Sequence, residues 1–152
     1  MRAEAMERNS LKGKHQMSET TSTTTDPPPV RVECIFPILR VAALDTSIAF
    51  YTENLGFTVD WRTQFLASIS RDGCALMLCE GAQGNPATWV WVGVTDVDPI
   101  FAQCKAKGVT VLLKPSNYFW AREMRIEDPD SHVLRIGSET RKDLPIEEPQ
   151  GM

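Results

Sequence analysis

From residue 33 onward, the hydrophobic positions of this chain switch between two spacings. Short extended stretches at residues 33–41, 57–61, 65–70 and 74–79 are rich in β-branched, aromatic and aliphatic side chains and are bounded by turn residues, so they predict four strands. Between the first two, Ile48, Phe50, Tyr51 and Leu55 recur at helical spacing. They predict a helix from Leu44 through Asn54, with Asp45 or Thr46 at its N-cap and Gly56 ending it. Asp72-Gly73 reads as the turn joining the last two strands.

The same order then repeats. Residues 88–94 predict a strand, a helix capped by Asp96 or Asp98 runs to Lys107 before Gly108, and residues 109–113, 121–127 and 132–136 predict three more strands. Val41 matches Val94, Asp45 matches Asp98, Gly56 matches Gly108, Val59 matches Val111, and Asp72-Gly73 matches Asp130-Ser131. Each half is a βαβββ module, which makes the chain an α+β protein built from two copies of one unit. One domain spans residues 32–139, with module one at 33–80, module two at 87–138, and a linker carrying Gly81, Gly84 and Pro86. Residues 1–31, with a Ser/Thr run and Pro27-Pro28-Pro29, predict a disordered arm, and residues 140–152 a flexible tail.

Composition narrows the classes. The length of 152 residues with 42% hydrophobic content allows one core. A net charge of −4 argues against a nucleic-acid partner, since no basic excess exists to neutralise phosphates. No apolar run approaches the roughly 20 residues of a membrane span, and no apolar stretch follows the charged start as in a secretory signal. Cys34, Cys74, Cys79 and Cys104 show no metal-type or redox spacing and read as buried free thiols, which points to the cytoplasm.

Residues 120–137 read W-A-R-E-M-R-I-E-D-P-D-S-H-V-L-R-I-G, and upstream stand I-L-R-V at 38–41 and F-Y-T-E-N-L-G-F at 50–57. With the paired modules, these motifs resemble the vicinal oxygen chelate superfamily, which includes glyoxalase I, extradiol dioxygenases, fosfomycin-resistance enzymes and bleomycin-resistance proteins. The resemblance covers residues 33–138. It implies that the modules curl into a cup-shaped mixed sheet, where the enzymes of the superfamily hold a divalent metal through His, Gln or Glu on the first and last strand of each module. The matching positions here are Phe36, Met77, Trp89 and Arg135, none of which ligates a hard or borderline cation. Shifting the register by one residue brings up only Ile35 or Pro37, Leu76 or Leu78, Val90, and Leu134 or Ile136. No metal, no other cofactor and no catalytic residue is therefore expected. His15 falls in the arm, and His132 reads as a surface turn residue.

Strand alternation assigns the faces. Leu39, Val41, Leu76, Leu78, Val90, Val92, Leu134 and Ile136 form an aliphatic face for the helices. The opposite face carries Phe36, Ile38, Arg40, Ala75, Met77, Cys79, Trp89, Trp91, Val133 and Arg135, and would line the cup. Indoles offer rigid stacking surfaces worth about 0.5–1.5 kcal/mol per pair beyond their burial. They either line a pocket or fill a closed second core. Arg135 either pairs with Glu80, Glu123 or Glu127, or faces an anionic or neutral ligand. The loop at 115–120 places Phe119 and Trp120 at the mouth, with Trp61 opposite. Trp120, Arg122 and Glu123 match positions near the drug groove of homodimeric bleomycin-resistance proteins. Ala121, Met124 and Ser131 depart from that pattern, and Ser131 implies a different turn, because Ser disfavours positive φ.

These readings converge on a metal-free small-molecule binding protein of bleomycin-resistance type, a homodimer that sequesters an aromatic or polar drug or metabolite. The predicted ligand-binding residues are Phe36, Ile38, Arg40, Trp61, Met77 and Trp89, together with Trp91, Phe119, Trp120, Arg122, Glu123 and Arg135. Two alternatives stand beside it. A glyoxalase-like isomerase, lyase or thiol transferase would need Glu80, Asp60, Glu123 or Tyr118 as acid or base, or Cys79 as nucleophile without an activating histidine. A ligand-free structural or regulatory module would have a filled cup.

Overall fold

The computed structural model describes residues 33–149. The predicted arm at residues 1–31 lies outside the described residues.

The strands and helices alternate as the repeat requires. Module one contains β1 (Ile38–Arg40), α1 (Leu44–Ala49), β2 (Thr58–Arg62), β3 (Leu66–Arg71) and β4 (Cys74–Cys79). Module two contains β5 (Trp89–Gly93), α2 (Val97–Ala106), β6 (Val111–Asn117), β7 (Arg122–Glu127) and β8 (Val133–Ser138). Each module closes a four-stranded mixed sheet, in the order β1-β4-β3-β2 in one and β5-β8-β7-β6 in the other. In both, the first and last strands pair in parallel and the remaining pairs are antiparallel. The fold is the expected α+β arrangement of two like modules.

The aliphatic face behaves as alternation dictates. Leu39, Leu76, Leu78, Leu134 and Ile136 are buried, and they share one core with Tyr51, Leu55, Val97 and Cys104 from the helical segments and their ends. Burying a side chain of this size contributes about 1.5–3 kcal/mol, so this single core spanning both modules is the main source of cohesion.

Several local readings differ from the sequence expectations. The first helix passes after Ala49 into a π-helical segment, Phe50–Asn54, which turns Tyr51 fully into the core. Neither Asp45 nor Thr46 caps α1. Its N-terminal groups are met from afar, because Glu80 Oε2 accepts from the Leu44 N–H at 2.7 Å and Asp130 Oδ1 accepts from the Ala42 N–H at 2.7 Å. α2 is capped locally by Asp96, as one of the two candidates. Strand β6 runs on through Asn117, so half of the expected loop is strand. Finally, Cys34 and Cys74 are exposed, and only Cys79 and Cys104 are buried.

The turn between β7 and β8 joins the modules. Asp128 is buried, and its Oδ1 accepts from the N–H groups of Asp130 and His132 while its Oδ2 accepts from Tyr51 Oη at 2.9 Å. Asp130 Oδ2 accepts from Ser47 Oγ at 2.6 Å. Ser131 takes φ 63, the conformation expected to be avoided, because these side-chain bonds over-determine the turn. His132 is fully buried rather than on the surface: Nδ1 accepts from the Thr88 N–H at 3.0 Å, and Nε2 faces the Arg40 carbonyl at 2.7 Å. An Nδ1 that accepts leaves the proton on Nε2, so one tautomer ties β1 to the start of β5. The linker packs against the same strand. A Cβ on Gly84, at φ +82, would come within 2.7 Å of the Ile38 carbonyl, so the approach requires glycine.

The chain beyond β8, expected as a free tail, folds back on β6. Asn117 is buried, and its side chain binds Arg141 through both N–H and C=O and donates to the Leu144 and Pro145 carbonyls, while the Glu147 N–H reaches its backbone carbonyl.

Burial pushes the Asp128 carboxyl up, against the bonds from His132, Tyr51 and Asp130 that favour its ionised form. A carboxyl raised in the folded state binds its proton more tightly there than in the unfolded chain, so its ionisation removes stability as pH rises through the raised value. Asp128→Asn retains the acceptor oxygen and removes the charge. Its thermal midpoint by circular dichroism should match or exceed the parent's at neutral pH, with the difference shrinking toward the ordinary carboxylate range. A midpoint well below the parent's at neutral pH would show that the turn depends on the negative charge.

Candidate functional site

Alternation leaves one face of each sheet without helices, and the two faces differ in chemistry. On module one, Phe36, Ile38 and Trp61 are exposed, Arg40 is exposed and Met77 is half-buried. Met77 lies opposite both Ile38 on β1 and Ser68 on β3. Asp60 sits at a bulge in β2, where it accepts from Ser68 Oγ at 3.0 Å and Ser70 Oγ at 2.6 Å. This face is apolar at one side and hydroxyl-rich at the other.

Module two carries a built cluster. Glu123 is fully buried on the open side of β7. Its carboxylate accepts from Arg135 Nη2 at 2.6 Å, Arg125 Nη2 at 3.2 Å and Trp120 Nε1 at 3.1 Å. The Arg125 guanidinium lies 5.5 Å from the centroid of Trp89, and that of Arg135 lies 5.5 Å from the centroid of Trp91. Both indoles nevertheless face solvent, at 57% and 51% exposure. Each arginine thus bridges a buried carboxylate and an exposed aromatic plate, a geometry the planar guanidinium suits and an ammonium does not.

Local sequence explains the pose. Trp89 and Trp91 are two residues apart on β5 and therefore share a face. Parallel pairing sets Trp91 opposite Arg135 on β8. Two residues on, Gly137 has no side chain. A Cβ there would overlap the Trp91 indole, with Cζ2 at 2.7 Å, so the ring lies across β8 only because position 137 is glycine. Trp120 is set by its own loop, stacked on buried Tyr118 at 4.8 Å and 15°, with Phe119 edge-on at 4.6 Å and largely exposed.

The expected site residues therefore divide. Trp89, Trp91, Trp120, Glu123 and Arg135 come together in one network. Phe36, Ile38, Arg40, Trp61 and Met77 belong to the other module's sheet. Arg122 does not join Glu123. It shares the helix side of β7 with Met124 and Ile126 and makes a two-pronged pair with Asp98 of α2, Nη2 to Oδ1 at 2.7 Å. Arg122 also holds the Asp98 carboxyl below its ordinary value, with burial opposing. Arg125 was missed, although its place two residues after Glu123 on the same strand put it on the open face. Of the open options for Arg135, the partner is Glu123. Glu80 is engaged at α1, and Glu127 forms no ion pair among the described residues. A cleft of about 630 Å³ opens beside Arg40, Glu80, Pro86 and Asp130, away from the tryptophans.

The fold resembles solved structures, each under 25% identical, which speaks for architecture. An antibiotic-binding protein, TnmS3 from Streptomyces sp. CB03234, shares 20% identity over 74% of this chain and all of its own, with a TM-score of 0.65. A glyoxalase/bleomycin resistance protein/dioxygenase from Nocardioides shares 21% over 80% of this chain and 93% of its own, at 0.61. TioX from Micromonospora sp. ML1 shares 19% over 68% and 97%, at 0.63. No curated protein matches. The Glyoxalase/Bleomycin resistance protein/Dioxygenase superfamily profile matches residues 31–136, and the chain belongs to that superfamily.

Many members of that superfamily use a divalent metal, and the residues here do not fit one. Phenyl, thioether and indole groups stand at three of the four positions, and the fourth, Arg135, brings its own cation to the nearby carboxylate. Among the described residues, no three His, Cys, Asp or Glu side chains converge on a point.

Burial alone would raise the Glu123 carboxyl, but the bonds from Arg135, Trp120 and Arg125 outweigh it and hold the group below its ordinary value. A depressed carboxyl contributes stability above its unfolded value and loses it as pH falls through the folded one. Glu123→Gln leaves two guanidiniums without a counter-charge. It should cost about 3–5 kcal/mol in urea unfolding at neutral pH and flatten the parent's loss of stability in acid. An acid profile unchanged from the parent would remove Glu123 from the centre of the network. Gly137→Ala should cost about 1–3 kcal/mol and shift tryptophan emission, as the Trp91 ring is displaced; unchanged emission would mean that the ring does not lie on position 137.

Proposed function

We propose that this protein binds a small aromatic or polar molecule without a metal, on the Trp89–Trp91 face, as members of the bleomycin-resistance type sequester drugs or metabolites. One observation carries the reading: two indoles on one face are more than half exposed, while the arginines that orient them are partly buried and bonded to a fully buried carboxylate. Exposed aromatic plates contribute little to folding in water, and a three-charge cluster around a buried carboxylate is costly to assemble, so the arrangement gains its return when something stacks on it. The metal positions supply no ligands. The antibiotic-binding protein of like fold agrees with this class of function.

A homodimer completes the proposal. Phe36, Ile38, Trp61, Trp89 and Trp91 are open on a single chain, an apolar exposure typical of interaction surfaces, and a second copy would convert an open face into a groove. Free cysteines and the absence of any described helix long and apolar enough to cross a membrane fit a cytoplasmic setting. Among the described residues no paired nucleophile and base emerges that would favour an enzyme, since Asp60, Glu80 and Glu123 are each held by structural partners.

The test uses N-phenyl-1-naphthylamine, a neutral planar fluorophore, together with native mass spectrometry of protein purified without chelator. Trp89→Ala and Trp91→Ala should each weaken the probe about tenfold, the worth of one good stacking contact plus its buried area. The intact mass should be that of a dimer without a stoichiometric divalent ion. Unchanged affinity in both variants would move the site elsewhere, and a bound divalent ion would restore the enzyme reading.

A further inference from the structure

The charge balance of the cluster specifies more than flatness. Two guanidiniums share one carboxylate, and the carboxylate already accepts from Arg125, Arg135 and Trp120. One positive charge is left over. Glu127 ends the same face of β7 but pairs with neither arginine. The Nε–H groups of both Arg125 and Arg135 are buried with no acceptor among the described residues. A buried donor without an acceptor costs about 1–3 kcal/mol, so the cluster as it stands is under-satisfied in both charge and hydrogen bonds.

We propose that this face selects planar aromatic ligands bearing an anionic group, a carboxylate, sulfonate or ionised phenol, and that Arg135 receives that group. The inference rests on the small-molecule reading above and names the ligand class for the same site. Arg135 is the more accessible cation, with its side chain 29% exposed against 14% for Arg125 and 0% for Glu123. Its guanidinium carbon lies 5.5 Å from the centroid of Trp91, within reach of an acidic substituent that extends past the edge of a stacked ring. The same geometry disfavours cations. Each indole already has a guanidinium 5.5 Å from its centre, so a cationic ring stacked on the outer face would meet a fixed like charge across the indole. Electron-rich and anionic rings gain from that polarisation.

A matched pair of probes tests it: 1-anilinonaphthalene-8-sulfonate, which is anionic, and N-phenyl-1-naphthylamine, which has the same rings without the sulfonate. The parent should bind the sulfonate about tenfold more tightly at low salt, the worth of one charge-assisted hydrogen bond. The gap should narrow at about 0.5 M salt, as it does for a partly exposed ion pair. Arg135→Gln should close the gap by lowering the sulfonate's affinity more than the neutral probe's, whereas Arg135→Lys should keep part of it; thermal midpoints report whether each variant folds. Equal affinities in the parent, or a gap that persists in both salt and Arg135→Gln, overturn the anion preference while the stacking face stands. If Trp91→Ala leaves both probes unaffected, the face itself is not the site and both readings fall.

Discussion

The buried carboxylate of Asp128 is the constraint on which the rest depends. Three donors converge on it, from Tyr51 on the first helical segment and from the backbone of its own turn. This arrangement presents Asp130 to the start of α1 and seats His132 between Thr88 and Arg40. Polar groups buried in a low-dielectric interior tolerate few alternatives, since an unmet partner costs more than a met one returns. The hydrophobic core would hold many packings of two similar modules. The turn favours this one, because it sets the hydroxyls of Ser47 and Tyr51 and the turn's own N–H groups opposite carboxylate oxygens.

The same logic operates at the candidate site with a different result. Around Asp128 the donors and the acceptors named in the structure are matched. Around Glu123 they are not: a positive charge and two N–H groups remain over, beneath aromatic rings that face water. A cluster balanced for stability alone would have added a second carboxylate or replaced the ions with aliphatic side chains, which is often neutral or stabilising. These unmet donors beside an open surface are what the proposed ligand reading rests on. The module-one face shows the contrast, because Ser68 and Met77 stand where Arg125 and Arg135 stand in the repeat, and Asp60 is met by two hydroxyls there.

Much of the fold was legible in the residues. β4 begins and ends where its apolar run does, and the helix-ending glycines Gly56 and Gly108 take the positive φ their positions demanded. The division into an aliphatic face and an aromatic, cationic face followed from alternation alone. Arg125 could have been found the same way, and Arg122 set aside, since residues one and two places apart on a strand point to opposite and like faces. Other features had no local signal. The cap of α1 comes from Glu80 and Asp130, far along the chain. The β7–β8 turn uses a serine at positive φ because side chains from another module hold it there, and Asn117 organises residues 141–147 through bonds that no spacing rule anticipates.

By itself, the sequence determined the repeat, the order of strands and helices, and which side of each sheet is apolar. These depend on interactions between near neighbours and on a periodicity that survives any packing. The tertiary structure decided what each charged or polar side chain meets: His132 in the core, Arg122 on α2, Arg135 on Glu123. Such pairings join residues up to 92 positions apart. Their strength depends on distance and burial, which come into being only when the two modules pack.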